Sequence, residues 1–252
     1  DGSKNQLFRN EGNFVFTRVL TTDVSKVNAK SFSSAWADID NDGDLDLFVT
    51  NAFQNGQRLK NNLYLNDGTG HLTEVTNEVV VMDEGWSYGC AFGDYDNDGF
   101  QDLAVATTRF GNVDEADYLY HNNGNSNHWL MVSLEGNVSN KSAIGAKIRV
   151  KAIVNGTAVW QMREISAQSA YCSQNDMRAH FGLADATLVD SMVIEWPSGI
   201  RQYRTGVLPN QILDIEEDLV NAVGEALPSF GFKVFPNPTN SVIQMEAQFS
   251  ES

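Results

Sequence analysis

The chain has little of what most enzymes, thiolate metal sites and nucleic-acid-binding proteins depend on. Its 252 residues include two cysteines, four histidines and only 17 basic residues against 33 acidic ones. No run of about 20 apolar residues occurs, so the sequence predicts no transmembrane span. A formal charge of −16 disfavours nucleic acid and anionic membranes as partners, because both carry negative charge.

Catalytic motifs are also missing. The sequence contains no G-x-S-x-G elbow, no G-x-x-x-x-G-K phosphate loop, no Cys-x-x-Cys pair and no His-Glu-x-x-His helix. The four histidines lack the spacing of metal ligands, and we expect packing or surface roles for them; they are His71, His121, His128 and His180. Cys90 and Cys172 could form a bridge, but the sequence favours two buried free thiols. We therefore expect no enzyme in this chain.

What the chain does contain is an acidic loop that occurs twice, 56 residues apart. The two copies are Asp38-Ile39-Asp40-Asn41-Asp42-Gly43-Asp44-Leu45-Asp46 and Asp94-Tyr95-Asp96-Asn97-Asp98-Gly99-Phe100-Gln101-Asp102. Carboxylates at positions 1, 3, 5 and 9 point oxygens into one hollow, and glycine at position 6 allows the turn that lets the position-7 carbonyl join them. The predicted ligands are Asp38, Asp40, Asp42, Asp44, Asp46, Asp94, Asp96, Asp98, Phe100 and Asp102. This oxygen set predicts two calcium ions.

The charges of these loops favour a bound cation. Two carboxylates ~4 Å apart repel by roughly 1 kcal/mol in water and roughly 4 kcal/mol at an effective dielectric of 20. Either some carboxylates hold protons or a divalent cation neutralises them. Position 12 is Val49 in one loop and Val105 in the other, which separates the pattern from the helix-loop-helix calcium hand and its glutamate. A short apolar run follows each loop and predicts a buried strand.

The repeat extends beyond the loops. The same offset aligns Leu7 with Leu63 and Leu119, and Gly12 with Gly68 and Gly124, which predicts three copies of one hairpin. A period slightly above 50 residues with short strands is typical of propeller blades or solenoid turns, and room for about four strands favours blades. Two full units do not close a propeller, so we expect a fragment that begins inside a blade.

The first half of the chain is similar to a known family. The stretches Trp36-Ala37-Asp38 and Phe92-Gly93-Asp94, with the acidic loops after them, resemble FG-GAP and VCBS repeats of extracellular β-propellers, also found in integrin α-chains. The resemblance covers residues 1–127 and implies calcium-loaded blades. We therefore expect an all-β fold, with a partial β-propeller of two full blades plus a remnant, followed by an antiparallel β-sandwich-like domain.

A different β pattern occupies residues 128–218. The predicted strands are 129–134, 146–152, 158–165, 177–181, 191–196 and 211–216, with a turn at Trp196-Pro197-Ser198-Gly199. Apolar and charged residues alternate from Lys147 to Lys151, which predicts a half-buried antiparallel strand. This segment is similar to the ASPIC/UnbV domain through Ile144-Gly145-Ala146-Lys147, the run from Ser173 to Leu183, and that turn. Trp160 and Trp196 are interpreted as core residues or, alternatively, as sugar-stacking platforms.

The last residues imply secretion. A linker is predicted over 219–230, and residues 231–252 contain Phe235-Pro236-Asn237-Pro238-Thr239, which resembles the start of the type IX secretion C-terminal sorting domain. The resemblance implies the secretion machinery as a partner. It also implies an extracellular or outer cell-surface location in a bacterium.

These patterns lead to one principal hypothesis and two rivals. The first is a secreted or cell-surface calcium-binding propeller module for protein or carbohydrate binding or adhesion, with structural calcium. The second is an extracellular enzyme or accessory protein of a polysaccharide-degrading or biosynthetic system, whose active site lies in blades outside this chain. The third is a matrix protein that only buffers calcium.

Overall fold

The computed structural model describes residues 4–108, 114–219, 231–235 and 244–248. Their regular structure is β apart from two 3-10 turns, Asp23–Ser25 and Val79–Val81, which confirms the predicted all-β class. The described part of the chain contains no helix long and apolar enough to cross a membrane. Residues Asp1–Leu219 form one compact unit and Val220–Ser252 a second. The predicted linker falls almost wholly outside the described residues, as does the Pro236–Asn240 run.

The strands are short and alternate with turns. Before residue 127 they are β1 (Leu7–Asn10), β2 (Phe16–Val19), β3 (Ser31–Ala37), β4 (Asp46–Asn51), β5 (Phe53–Gln54), β6 (Gln57–Lys60), β7 (Asn62–Asn66), β8 (Leu72–Val75), β9 (Glu84–Gly85), β10 (Ser87–Gly93), β11 (Asp102–Thr107) and β12 (Tyr118–Tyr120). After it they are β13 (His128–Glu135), β14 (Lys147–Val154), β15 (Thr157–Glu164), β16 (Ala179–Ala184), β17 (Val189–Glu195), β18 (Arg201–Val207), β19 (Gln211–Glu216), β20 (Gly231–Phe235) and β21 (Gln244–Gln248).

Two antiparallel sheets carry the 56-residue repeat. One has the order β3-β4-β7-β8 and the other β10-β11-β12. Leu47 pairs with Trp36 and Tyr64, and Leu103, 56 residues later, pairs with Phe92 and Tyr120. The first strand of each sheet is also irregular at the same place, near its start. The sheets share a buried core, and each acidic loop joins its first strand to its second.

The third predicted hairpin does not form. β1 pairs with β2 and β7 pairs with β8, but β12 pairs only with β11 among the described strands. The segment after β12 instead contacts the first acidic loop, where the side-chain amides of Asn125 and Asn127 donate hydrogen bonds to the Asp40 carbonyl at 2.6 and 2.8 Å. These amide contacts replace the strand pairing that the repeat predicted.

Two further sheets share the core of residues 128–218. The sheet β15-β14-β17-β18 is antiparallel throughout, and β14 alternates between buried and exposed side chains as predicted. The sheet β16-β13-β19 contains one parallel pair, β13 with β19, because the chain crosses the other sheet before it returns. The sequence predicted neither this parallel pair nor β18, whose residues Arg201–Val207 include few large apolar side chains.

The structure decides the questions left open for the cysteines and tryptophans. Cys90 and Cys172 are both free, but Cys172 is exposed, so the prediction of two buried thiols was half wrong. Trp196 is buried and belongs to the core, which removes it as a sugar platform. Trp160 is 55% exposed.

Candidate metal centre

Both acidic loops turn sharply at the same two positions. Asn41 and Asn97 have φ of 58° and 63°, and Gly43 and Gly99 have φ of 106° and 93°. Asparagine tolerates the left-handed region better than most residues, and glycine has no Cβ to clash there. The Asn-x-Gly spacing therefore bends each loop so that backbone N–H groups face the carboxylates.

The position-1 aspartate accepts a hydrogen bond from within its own loop. Asp38 Oδ2 accepts from the Gly43 N–H at 3.1 Å, and Asp94 Oδ2 accepts from the Gly99 N–H at 2.9 Å. Because this bond occurs in both copies, the glycine stabilises each loop in two ways: its backbone adopts a positive φ, and its N–H donates a hydrogen bond.

The position-9 aspartate joins its loop to the next hairpin. Asp46 accepts from the Ile39 N–H at 3.0 Å and from the Asn66 N–H at 2.9 Å, using one oxygen for each. The equivalent residue of the second repeat, Asp102, accepts from the N–H groups of residues 95 and 122 at 3.1 and 2.8 Å. Sheet and loop geometry are thus coupled through a predicted ligand position.

Carboxylate oxygens converge in both loops. Oxygens that lie within 4.8 Å of one another come from Asp38, Asp40 and Asp42 in the first loop and from Asp94, Asp96 and Asp102 in the second. Asp98 lies in a separate exposed group with Asp96 and His121. The ring of Phe100 packs against Gly124, where a Cβ would come within 2.6 Å of it. The structure therefore brings six of the ten predicted ligand residues into two clusters.

Two carboxylate oxygens at the first loop are buried without a hydrogen-bond partner among the described residues. They are Oδ1 of Asp38 and Oδ1 of Asp44. A buried acceptor that lacks a donor costs free energy, and a charged one costs more. A hard cation held by Asp38, Asp40 and Asp42 would satisfy the Asp38 oxygen, so the donor set at this loop fits calcium.

The pKa values of the loop carboxyls point the same way. Burial raises the pKa of Asp46 to about 7, and burial followed by the charge of Asp42 raises the pKa of Asp44 to about 6. Burial also holds the pKa of Asp38 well above its usual range and raises that of Asp94. Without a cation these carboxyls lose their protons less readily than an ordinary aspartate, and a divalent ion favours the charged form.

Both loops have basic neighbours that the sequence did not indicate. Arg163 of β15 stacks on Phe181, with its Cζ 5.2 Å from the ring centroid, and attracts Asp38 and Asp44 electrostatically. At the second loop His121 Nε2 lies 2.9 Å from Asp96 Oδ2, and this hydrogen bond raises the pKa of His121. These basic side chains are fewer than the carboxylates of each loop, so both loops remain acidic.

Strand β16 lies directly against the first loop. The Gly182 N–H donates to Asp38 Oδ2 at 3.0 Å, and the Ala184 N–H donates to the Asn41 carbonyl at 2.8 Å. Asp38 therefore accepts one hydrogen bond from its own loop and one from β16. The conformation of the loop and the position of β16 depend on each other.

The second loop contacts the same strand. His180 Nε2 donates to the Gly99 carbonyl at 3.1 Å, and the Asn41 side-chain amide donates to that carbonyl at the same distance. Arg178 donates to Asn97 Oδ1 and to the Asp94 carbonyl. His180 was expected to pack, and it is buried with its pKa lowered to about 4 by desolvation. The loops thus contact each other and β16 at one junction.

A methyl group at position 182 would disturb this junction. A Cβ there would lie 2.1 Å from Asp38 Oδ2 and 2.5 Å from the Asn41 Cα. We expect Gly182→Ala to cost about 1–3 kcal/mol or more, a fall in melting temperature of about 2–12 °C by thermal denaturation. Gly156→Ala is the control, because nothing lies within 4 Å of that site and only its backbone is strained. An equal fall in both variants would contradict the close contact.

Comparison with protein families divides the chain in the same two parts. The model of the FG-GAP-like repeat matches residues 1–49 and 52–105, and the model of ASPIC and UnbV matches residues 136–222. The chain carries FG-GAP-like repeats and an ASPIC/UnbV domain. The resemblances to FG-GAP repeats and to the ASPIC/UnbV domain are thereby confirmed, and β16 with its contacts to the acidic loops belongs to the ASPIC/UnbV domain.

Two curated proteins are similar to this chain over part of their length. Integrin alpha-4 of Xenopus laevis is 34% identical over 94 residues, which is 34% of this chain and 9% of the relative. Cartilage acidic protein 1 of Xenopus tropicalis is 27% identical over 212 residues, which is 80% of this chain and 32% of the relative. The chain thus spans less than a third of the length of either relative.

Proposed function

We propose that this chain is part of an extracellular binding module whose FG-GAP-like repeats are β-propeller blades, each stabilised by one calcium ion. The observation that carries the proposal is the buried, unpartnered Oδ1 of Asp38 within the all-oxygen cluster of Asp38, Asp40 and Asp42. The second repeat supports it with the same loop turns and the same position-1 hydrogen bond.

The proposed calcium has a structural role. It would neutralise the carboxylates that repel one another and fix the loop that contacts β16 through Asp38 and Asn41. Calcium binding would then stabilise the repeats and the junction with the ASPIC/UnbV domain together. We propose no catalytic role for either ion, because the carboxylates that would hold them also bind backbone N–H groups of the fold.

The proposed partner is an extracellular protein or glycan. The similarity to integrin alpha-4 and cartilage acidic protein 1 supports an extracellular location. Attachment to the outer surface of a bacterium through the type IX secretion machinery remains part of the proposal. It is supported only by the sequence run at the C-terminal end.

Calorimetric titration with calcium tests the proposal. We expect two sites, with Asp40→Ala removing one and Asp96→Ala the other. At calcium 100 times the dissociation constant each site adds about 2.7 kcal/mol, a rise in melting temperature of about 5–10 °C. Magnesium should stabilise less, because it demands octahedral geometry and loses water reluctantly.

Asp67→Ala is the matched control, because Asp67 is an exposed acid in a turn outside both loops. It should keep both sites. Absence of binding heat, or equal stabilisation by magnesium, would contradict calcium-specific loops.

A further inference from the structure

The outer face of the sheet β15-β14-β17-β18 combines aromatic and basic side chains on one side. We propose that this face of the ASPIC/UnbV domain binds an anionic polysaccharide. The residues that carry the proposal are Lys147, Arg149, Lys151, Trp160, Arg201 and Tyr203, called the outer face below. The proposal is independent of the cation sites, which lie on other strands and loops.

Strand alternation and register place these residues on one side. Ile148 and Val150 of β14 are buried in the core, so Lys147, Arg149 and Lys151 point to the opposite side. Lys151 lies directly across from Trp160 on β15. Tyr203 lies across from Val193, which itself pairs with Arg149. The basic row of β14 therefore has an aromatic residue on each flank.

The aromatic and apolar members of this side are unusually accessible. Trp160 is 55% exposed, Tyr203 61% and the neighbouring Met162 43%. Tryptophan has a large apolar surface that proteins usually cover, and an exposed cluster of such side chains typically marks a binding site. A shallow cavity lies between Arg149, Trp160 and Met162. These rings can stack on the apolar faces of sugar rings.

The charge of the face is opposite to that of the chain. Four basic residues and two acidic ones, Glu164 and Glu195, give it a net charge of +2, whereas the chain carries −16. The Glu195 carboxylate forms ion pairs with two guanidinium groups, that of Arg149 at 3.6 Å and that of Arg201 at 3.2 Å. Among the described residues no acidic group is within 4 Å of the Lys151 ammonium. The face thus attracts anions, and its arginines suit carboxylate or sulfate groups.

Shape and charge together select the class of ligand. A helical peptide docks in an apolar groove, whereas this face is one side of a sheet whose central row is basic. Double-stranded nucleic acid keeps its base faces stacked inside the helix and so offers no ring face to Trp160 and Tyr203. A polysaccharide with carboxylate or sulfate groups presents ring faces for Trp160 and Tyr203 and anions for the basic row.

Direct binding measurements on the whole chain in calcium test this proposal. The probes are polygalacturonate, dextran sulfate, neutral dextran and poly-glutamate. We expect binding of polygalacturonate, dextran sulfate or both, weakened by salt, and no comparable binding of dextran or poly-glutamate. The preferred anionic polymer identifies the anion as carboxylate or sulfate.

Variants assign the binding to this face. Trp160→Ala and Lys151→Glu should each weaken binding on the order of tenfold, since they remove the ring or reverse the charge. Lys60→Glu changes the net charge equally at an exposed site of the repeats and should keep binding. All three substitutions change surface side chains, so the melting temperatures of the three variants should match that of the original chain. The proposal is wrong if no anionic polysaccharide binds, if poly-glutamate binds as well, or if Trp160→Ala binds undiminished.

Discussion

Replacing Asp38 with asparagine is expected to lower the melting temperature in saturating calcium and to leave it unchanged or higher in chelator. In calcium the variant loses a charged ligand of the first site. At calcium 100 times the dissociation constant that site contributes about 2.7 kcal/mol, so the melting temperature should fall by about 5–10 °C.

The opposite result in chelator follows from the burial of Asp38. Its side chain is buried, and one of its oxygens has no hydrogen-bond partner among the described residues. Burial holds its pKa well above the usual range. A neutral asparagine removes the buried charge and keeps an oxygen that can accept from the Gly43 or Gly182 N–H. Arg163 attracts the carboxylate and offsets part of this gain.

Thermal melts of both proteins in calcium and in chelator at equal ionic strength measure the difference. Asp67→Asn is the control, since this acid lies in an exposed turn and should change neither melt by more than about 1–2 °C. If Asp38→Asn lowers the melting temperature equally in both buffers, Asp38 acts only as a hydrogen-bond acceptor and the cation proposal for this loop fails.

The features predicted correctly from the sequence are those set by local spacing. The position-6 glycine and the alternating carboxylates lie within nine residues, and three of the carboxylates converge in each loop. The alternation of β14 and the turn at Trp196–Gly199 are equally local, and the Gly199 N–H donates to the Trp196 carbonyl at 2.9 Å. The apolar run after each loop also predicted a strand, and β4 and β11 lie there.

The features missed depend on contacts distant in the sequence. The third hairpin fails because Asn125 and Asn127 bind Asp40, more than 80 residues earlier. Arg163 near Asp38 and the contact of Gly182 with that same aspartate join segments whose spacing carries no repeat signal. Single-sequence patterns contain no information on such pairs, since each residue alone is also compatible with a surface role.

Glu217 is a further residue that the sequence did not single out, and its replacement by alanine should be among the most destabilising changes in the ASPIC/UnbV domain. It is 1% exposed. Its carboxylate accepts from the N–H groups of Val138 and Ser139 at 2.7 and 2.6 Å, and from the hydroxyls of Ser139 and Ser198. It therefore connects the loop before β14 to the turn between β17 and β18.

Glu217→Ala would leave these donors without their acceptor. Unsatisfied buried donors and lost bonds to a charged group together cost about 3–5 kcal/mol, which corresponds to a fall in melting temperature of about 6–20 °C. The fall should be the same in calcium and in chelator, because Glu217 contacts neither acidic loop. Glu216→Ala, a change of the exposed neighbour, is the matched control.

The pH dependence separates the charge of Glu217 from its packing. Burial alone would raise its pKa, but hydrogen bonds from Ser198, Ser139 and Val138 lower it to about 2, below the ordinary value of 4.5. The folded state thus binds fewer protons, so its stabilisation is complete above pH 4.5 and is lost as the pH falls toward 2. Glu217→Gln should flatten the melting-temperature profile between pH 4.5 and 2, whereas Glu216→Gln should keep the original slope. Identical profiles for the two glutamine variants would mean that the serine hydroxyls and backbone donors hold this junction without the carboxylate charge.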